Sequence, residues 1–143
     1  MTVINKSAIV PYTATQMFDL VNDIEQYSKF VPYCVNSKIV ERSMDEIHAM
    51  LTFAGAGISK SFSTLNRLQP HKMIEMRLVN GPFKSLEGFW NFENLENHSS
   101  KVSLNLEFEL AAGVLKIMFG PVFNQVASLL VDSFHKRAAE VYK

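Results

Sequence analysis

The sequence predicts an α+β fold, in which a curved antiparallel β-sheet wraps around a long C-terminal helix and two short helices follow the first strand. Three observations carry this. Hydrophobicity alternates with period two in successive runs between Asn36 and Leu110. Spacing turns helical from Leu115 to Tyr142. A short helical insert separates the first strand from Pro32. With 143 residues, the chain fits one domain, 1–143.

The first strand is Val3 to Val10, closed by Pro11. Thr13 or Thr15 can cap the helical segment that follows, in which Met17, Phe18, Leu20, Val21 and Ile24 share a helical spacing. Asn22-Asp23 breaks that segment, so two short helices are expected near 14–22 and 24–29, and Pro32 ends the region. The clearest strand is Val102, Leu104, Leu106, Phe108 and Leu110, which alternate with Lys101, Ser103, Asn105, Glu107 and Glu109. Ile47 to Phe53, Ile74 to Leu78 and Leu86 to Phe92 repeat the pattern. Gly55-Ala56-Gly57, Gln69-Pro70-His71, Asn80-Gly81-Pro82 and the segment from Asn94 to Ser100 supply turns, giving about six strands in a meander.

The last helix has Gly120-Pro121 as a kink or as its true start. Its expected inner stripe is Val122, Val126, Leu129, Leu130, Ser133, Phe134, Arg137 and Val141. From Pro121 to Tyr142 it would be about 33 Å long. A helix of that length needs a large apolar surface, and the concave face of the sheet is the one available.

Fourteen basic side chains balance fourteen acidic ones, which argues against a protein that grips nucleic acid mainly through electrostatics and leaves room for a local basic patch. Cys34 is the single cysteine, so no internal disulfide forms and a reducing, cytoplasmic compartment is expected. The four histidines show no zinc spacing, and no metal site is expected. No apolar run approaches the ~20 residues needed to span a bilayer. The start of the chain lacks the pattern of a signal peptide.

No residue stands out as catalytic. There is no nucleophile elbow and no phosphate-binding glycine loop. His48 falls on the solvated face of its strand, His71 and His98 in turns, and His135 on the outer side of the helix. Cys34 fits a small buried hydrophobe better than a reactive thiol. The protein is therefore expected not to be an enzyme.

A single helix does not fill a strongly curved sheet, so an apolar cavity is expected between them. Phe53, Phe62, Met76 and Trp90 are inward-facing candidates for its wall. Phe92, Phe108, Val126 and Phe134 are further candidates. Arg137 sits on the apolar helix stripe, where a charge needs a partner, and Lys84 opens a strand with Glu87 three residues on. These charges fit either an ion pair that fixes the helix on the sheet or polar anchors at the cavity mouth.

Three segments make the sequence familiar: Leu20 to Cys34, with Tyr27-Ser28-Lys29-Phe30-Val31-Pro32 at its centre; Leu78 to Trp90, with Asn80-Gly81-Pro82-Phe83-Lys84; and Val131 to Tyr142. In this order they resemble the START-like superfamily of polyketide cyclases and coenzyme Q-binding proteins, and within it the bacterial ribosome association toxin branch. The resemblance implies a helix-grip fold and a hydrophobic tunnel for a polyisoprenoid quinone, with ubiquinone as bound ligand and no catalytic cofactor. It places Phe30 and Pro32 at the lip of the tunnel, with Trp90, Val126, Leu130 and Phe134 as lining. Ser28 stands where relatives commonly carry proline, which loosens the turn before the lip. Mitochondrial relatives begin with a targeting segment, so a chain that starts at the first strand is expected to be bacterial.

Two functions compete on this basis. The first is non-catalytic binding or transport of ubiquinone in support of respiration, with Phe18, Tyr27, Phe30 and Tyr33 forming a movable mouth that touches the inner-membrane surface transiently. The second is a toxin that binds the large ribosomal subunit and blocks subunit association. Its basic candidates are scattered: Lys38, Arg42, Lys136, Arg137 and Lys143. A polyketide cyclase or aromatase ranks third, because the predicted inner faces offer few acid–base groups. The oligomeric state is left open.

Overall fold

The computed structural model describes residues 1–142. In chain order it has β1 (Thr2–Val10), α1 (Ala14–Asn22), a 3₁₀ helix (Ile24–Lys29), β2 (Cys34–Arg42), β3 (Glu46–Gly55), β4 (Ile58–Gln69), β5 (Met73–Asn80), β6 (Phe83–Asn94), β7 (Ser100–Leu110) and α2 (Val114–Val141). The predicted α+β architecture and the element order are as read from the sequence. The second short helix differs in being 3₁₀.

The seven strands form one antiparallel sheet in the order β1-β7-β6-β5-β4-β3-β2. β2 to β7 make the meander, while β1 pairs beyond β7 from Thr2↔Phe108 to Val10↔Ser100. Two strands consecutive in the chain thus lie at opposite edges, and α1 with the 3₁₀ helix connects them. Thr13, not Thr15, caps α1: its Oγ1 accepts from Gln16 N at 3.1 Å while Thr13 N donates to Gln16 Oε1 at 2.9 Å. This reciprocal arrangement satisfies two free donors at the helix start. Ala14 N also donates to Asn94 Oδ1 at 2.9 Å, docking α1 on the end of β6.

Two strands approach unusually closely at one point. At Gly88, where β6 lies between β5 and β7, an added Cβ would meet Asn105 O at 2.4 Å and Leu106 Cα at 2.9 Å. Only glycine permits so close a backbone approach. The β5–β6 pairing spans only Met73–Arg77 against Glu87–Asn91. Beyond it Leu78 and Asn80 stay with β4 while Phe83 to Leu86 stay with β7. The two strands diverge, and Gly81, at φ 153°, turns the chain against Phe62.

α2 fills the concave face. It starts at Val114, so Gly120-Pro121 is neither its start nor its end but lies within its first two turns. Its buried stripe is Phe119, Val122, Phe123, Val126, Ala127, Val131, Phe134 and Ala138. Leu129 and Val141, expected to face inward, are exposed. By length and composition α2 is apolar enough to cross a membrane, yet about 33% of its most apolar window is buried within the protein. Val114 and Ile117, in the first turn, are 70% and 76% exposed. At its other end Tyr142 donates through its hydroxyl to Gln16 O at 2.8 Å, tying the end of α2 to α1.

Candidate functional site

Between α2 and the sheet lies an internal cavity of about 70 Å³. Phe62, Met76 and Trp90 supply part of its sheet wall, and Val126, Leu130 and Phe134 its helix wall. Six of the sequence-predicted residues therefore meet around one space. Phe53, also an inward candidate, joins them. Each arrives there by strand alternation or helical spacing, the two periodicities that sort side chains onto faces.

The remaining candidates are placed otherwise. Phe30 is half-buried and lies beside the cavity, edge-on to Phe134 at 5.1 Å and to Tyr27 at 6.1 Å. Pro32 is half-buried and does not reach the lining. From the same segment it is Tyr27 and Val31 that close the cavity. Phe92 stacks behind Trp90 at 6.4 Å, and Phe108 packs edge-on to Phe123 at 4.8 Å. Both belong to the solid core. Phe18 is not at a mouth: it is 4% exposed, edge-on to Phe92 and His71.

The expected helix-to-sheet ion pair does not form. Lys84 is exposed where β5 and β6 diverge, beside a cleft shared with Arg77, Ser85 and Glu87. A register shift between Phe83 and Ser85 sets Phe83 and Leu86 inward and leaves Lys84 on the outside of the sheet. Arg137 places its Cζ 5.2 Å from the centre of the Phe30 ring, and its Nη1 is 4.0 Å from Glu140 Oε1 on its own helix. Its Nε is buried without a hydrogen-bond partner. Arg137 is thus a cap over Phe30, held by the face of an aromatic ring.

Several contributors had not been singled out. Phe123 is the aromatic hub, edge-on to Phe83 at 4.9 Å and to Phe62 at 5.7 Å. Its four-residue spacing from Phe119 and Ala127 was the available signal. Thr64 and Asn66 are more telling. They are polar, each 7% exposed, and occupy the inward positions of β4 after Phe62. Thr64 Oγ1 donates to Asn66 Oδ1 at 2.9 Å. The signal was a break in apolar alternation on a central strand.

No Asp, Glu, His, Lys or Arg lines this cavity among the described residues. Tyr27 is its one titratable group, and its hydroxyl donates to Val21 O. Burial, with smaller contributions from Cys34 and Asp23, holds that phenol well above its usual range. Cys34 is buried, and loss of solvent pushes its thiol up to about 11 against the lowering effect of Asn36 O. Neither group is poised for proton transfer near neutral pH. On the outer face a larger depression, about 450 Å³, runs across β1, β7, β6 and β5 past Asn5, Glu75, Phe89 and Glu107. It is open and charged, and unsuited to an apolar ligand.

Comparison with known proteins fits this geometry. Residues 10–135 match the family described as polyketide cyclase / dehydrase and lipid transport. A Vibrio cholerae protein named ribosome association toxin RatA is 43% identical over 142 residues, covering 99% of both chains. The mitochondrial coenzyme Q-binding protein coq10 of Schizosaccharomyces pombe is 25% identical, over 96% of this chain and 87% of its own. A START superfamily protein from Mycobacterium smegmatis shares the fold, with a TM-score of 0.80 at 19% identity, over 97% of this chain and 98% of its own.

Proposed function

The chain belongs to the polyketide cyclase / dehydrase and lipid transport family, and on that premise we propose that it acts in the cytoplasm as a ribosome association toxin, binding the large ribosomal subunit and blocking its pairing with the small one. One observation carries this reading: 43% identity along 99% of both chains to a protein of that name. Strand β2 is an edge of the sheet, paired only with β3, and presents Lys38 and Arg42 exposed to solvent. An edge strand with basic side chains can meet a phosphate-rich surface through both its backbone and its charges. Lys136 is exposed but engaged with Asp132 at 3.3 Å. Lys143 lies outside the described residues.

The test is density-gradient sedimentation of separated ribosomal subunits, rejoined with and without the purified protein at physiological salt. Travel with the large subunit and fewer joined ribosomes support the proposal. Absence from the large-subunit fraction overturns it.

A second reading is favoured by the cavity. Its apolar wall with three uncharged polar side chains, Tyr27, Thr64 and Asn66, suits a neutral, largely apolar ligand, and the 25% identity to a coenzyme Q-binding protein makes ubiquinone the candidate. At about 70 Å³ the cavity is well below the roughly 300 Å³ at which ligand pockets begin. Tyr27, Val31 and Phe134 would have to move apart to admit a quinone ring. Contact with a membrane surface would bring ligand and protein together, and the exposed first turn of α2 is better placed for it than the buried Phe18. The reading is non-catalytic, because the lining offers no free acid–base group for a cyclase. Organic extraction of freshly purified protein, followed by mass spectrometry, tests it: a near-stoichiometric isoprenoid quinone supports it, and an extract free of quinone counts against it.

A further inference from the structure

Polar side chains rarely occupy the inward positions of a central strand, because burying an amide without partners is costly. Strand β4 carries two in succession, Thr64 and Asn66, both more than nine-tenths buried and both in the cavity wall. The side chain of Asn66 can accept two hydrogen bonds and donate two. Thr64 Oγ1 occupies its oxygen at 2.9 Å. Among the described residues its amide nitrogen makes no hydrogen bond to a protein acceptor, yet it is not one of the fully enclosed side-chain atoms left without a partner, so it borders accessible space. The wall is therefore apolar apart from the hydroxyls of Tyr27 and Thr64, each already donating, and the amide of Asn66. Among the described residues no cation lines the space: Arg137 lies over Phe30, and Lys84 beside the outer cleft.

We propose that Asn66, oriented by Thr64, is the anchor that donates a hydrogen bond to the carbonyl oxygen of a neutral ligand in the internal cavity. This rests on the cavity reading above and adds the head-group chemistry that the site selects. A carbonyl matches the free donors without bringing a charge. A carboxylate or phosphate would arrive with no counter-ion in a low-dielectric space and pays its full desolvation cost. A hydrocarbon would fill the volume but leave the amide unpaired.

The experiment compares two probes with the same tail, a decyl-substituted benzoquinone and decylbenzene. Trp90 is the only tryptophan and lines the cavity, so quenching of its emission reports the quinone. Native mass spectrometry after gel filtration counts both probes. Asn66→Leu is expected to weaken the quinone about tenfold, the effect of one lost hydrogen bond to a buried partner, and to hold decylbenzene as well as wild type or better. Asn66→Val removes the donors on a β-branched side chain suited to a strand, and should lose the quinone too, so a folding failure of the leucine variant leaves the test intact. Thr64→Val retains the donors and should stay within about threefold of wild type. If wild type binds both probes and the two Asn66 variants bind the quinone equally well, the anchor is overturned while the cavity reading stands. If wild type binds neither probe, the cavity reading fails and the anchor with it.

Discussion

Arg137 and Phe30 are joined through a ring face: the guanidinium carbon stands 5.2 Å from the ring centre, while the ring edge meets Phe134 at 5.1 Å. The charge on the inner stripe of α2 is thereby accommodated without an ion pair to the sheet. Phe30→Ala removes both contacts and leaves Arg137 partly buried over nothing. It should cost about 2 kcal/mol, and Arg137→Lys, which keeps the charge, less than half of that. Urea unfolding at pH 7 checks both. Equal losses would mean that a lysine charge does not replace the guanidinium over the ring.

Gly88 should be the least replaceable glycine in the sheet. Gly88→Ala sets a methyl against backbone atoms that cannot step aside, at 2.4 and 2.9 Å, and should cost about 3 kcal/mol or more. Gly120→Ala is the contrast. Its added Cβ meets only Leu110 Cδ1, at 3.4 Å, and the position is helical, so it should be neutral or stabilise by about 0.5–1 kcal/mol. Thermal melts of the two variants should fall on opposite sides of wild type or nearly so.

Burial of Cys34 predicts both its reactivity and a pH dependence. With the thiol pushed up to about 11, native protein at pH 7.5 should label with a disulfide reagent far more slowly than unfolded protein. The folded state retains its proton above the pH at which the unfolded chain releases it. Stability from this group is therefore intact below about pH 9 and declines as pH rises toward about 11. Tyr27 and Tyr142, both raised chiefly by burial, act in the same direction at still higher pH. Cys34→Ala should lose less stability than wild type between pH 8 and pH 10.5 in denaturant titrations.

Phe134 is 0% exposed and touches Tyr27, Phe30 and Trp90. Phe134→Ala should cost about 3–5 kcal/mol and enlarge the cavity by most of an aromatic ring. Benzene should then raise the melting temperature of the variant, as a ligand that binds only the folded state must. The same benzene concentration should leave wild type unchanged.

The strand ladder and the first helix were legible because β7 and α1 each follow one periodicity: Val102 to Leu110 strictly alternate, and Thr13-x-x-Gln16 is a capping box. The inner stripe of α2 was not. That helix is apolar on most sides, so spacing alone cannot choose between Leu129 and Phe123. Its phase is set by the start at Val114 and by the sheet. Lys84 escaped for a different reason, since strict alternation back from Leu86 turns it inward and nothing local marks the register shift between Phe83 and Ser85. Asn66 was visible only as a polar residue where an apolar one belonged, and its meaning required knowing which face of β4 turns inward.

The pairing of β1 with β7 has a consequence for synthesis. Residues 2–10 leave the ribosome ninety or more positions before their partners, from Val10↔Ser100 to Thr2↔Phe108, and the helix that covers the concave face comes later still. During translation the meander grows from β2 onward with its apolar face bare and its first strand unpaired. Contacts so distant in sequence make folding slow and leave sticky surface exposed in the meantime. A nascent chain halted before residue 114 should bind a holding chaperone, and one extended through residue 141 should release it.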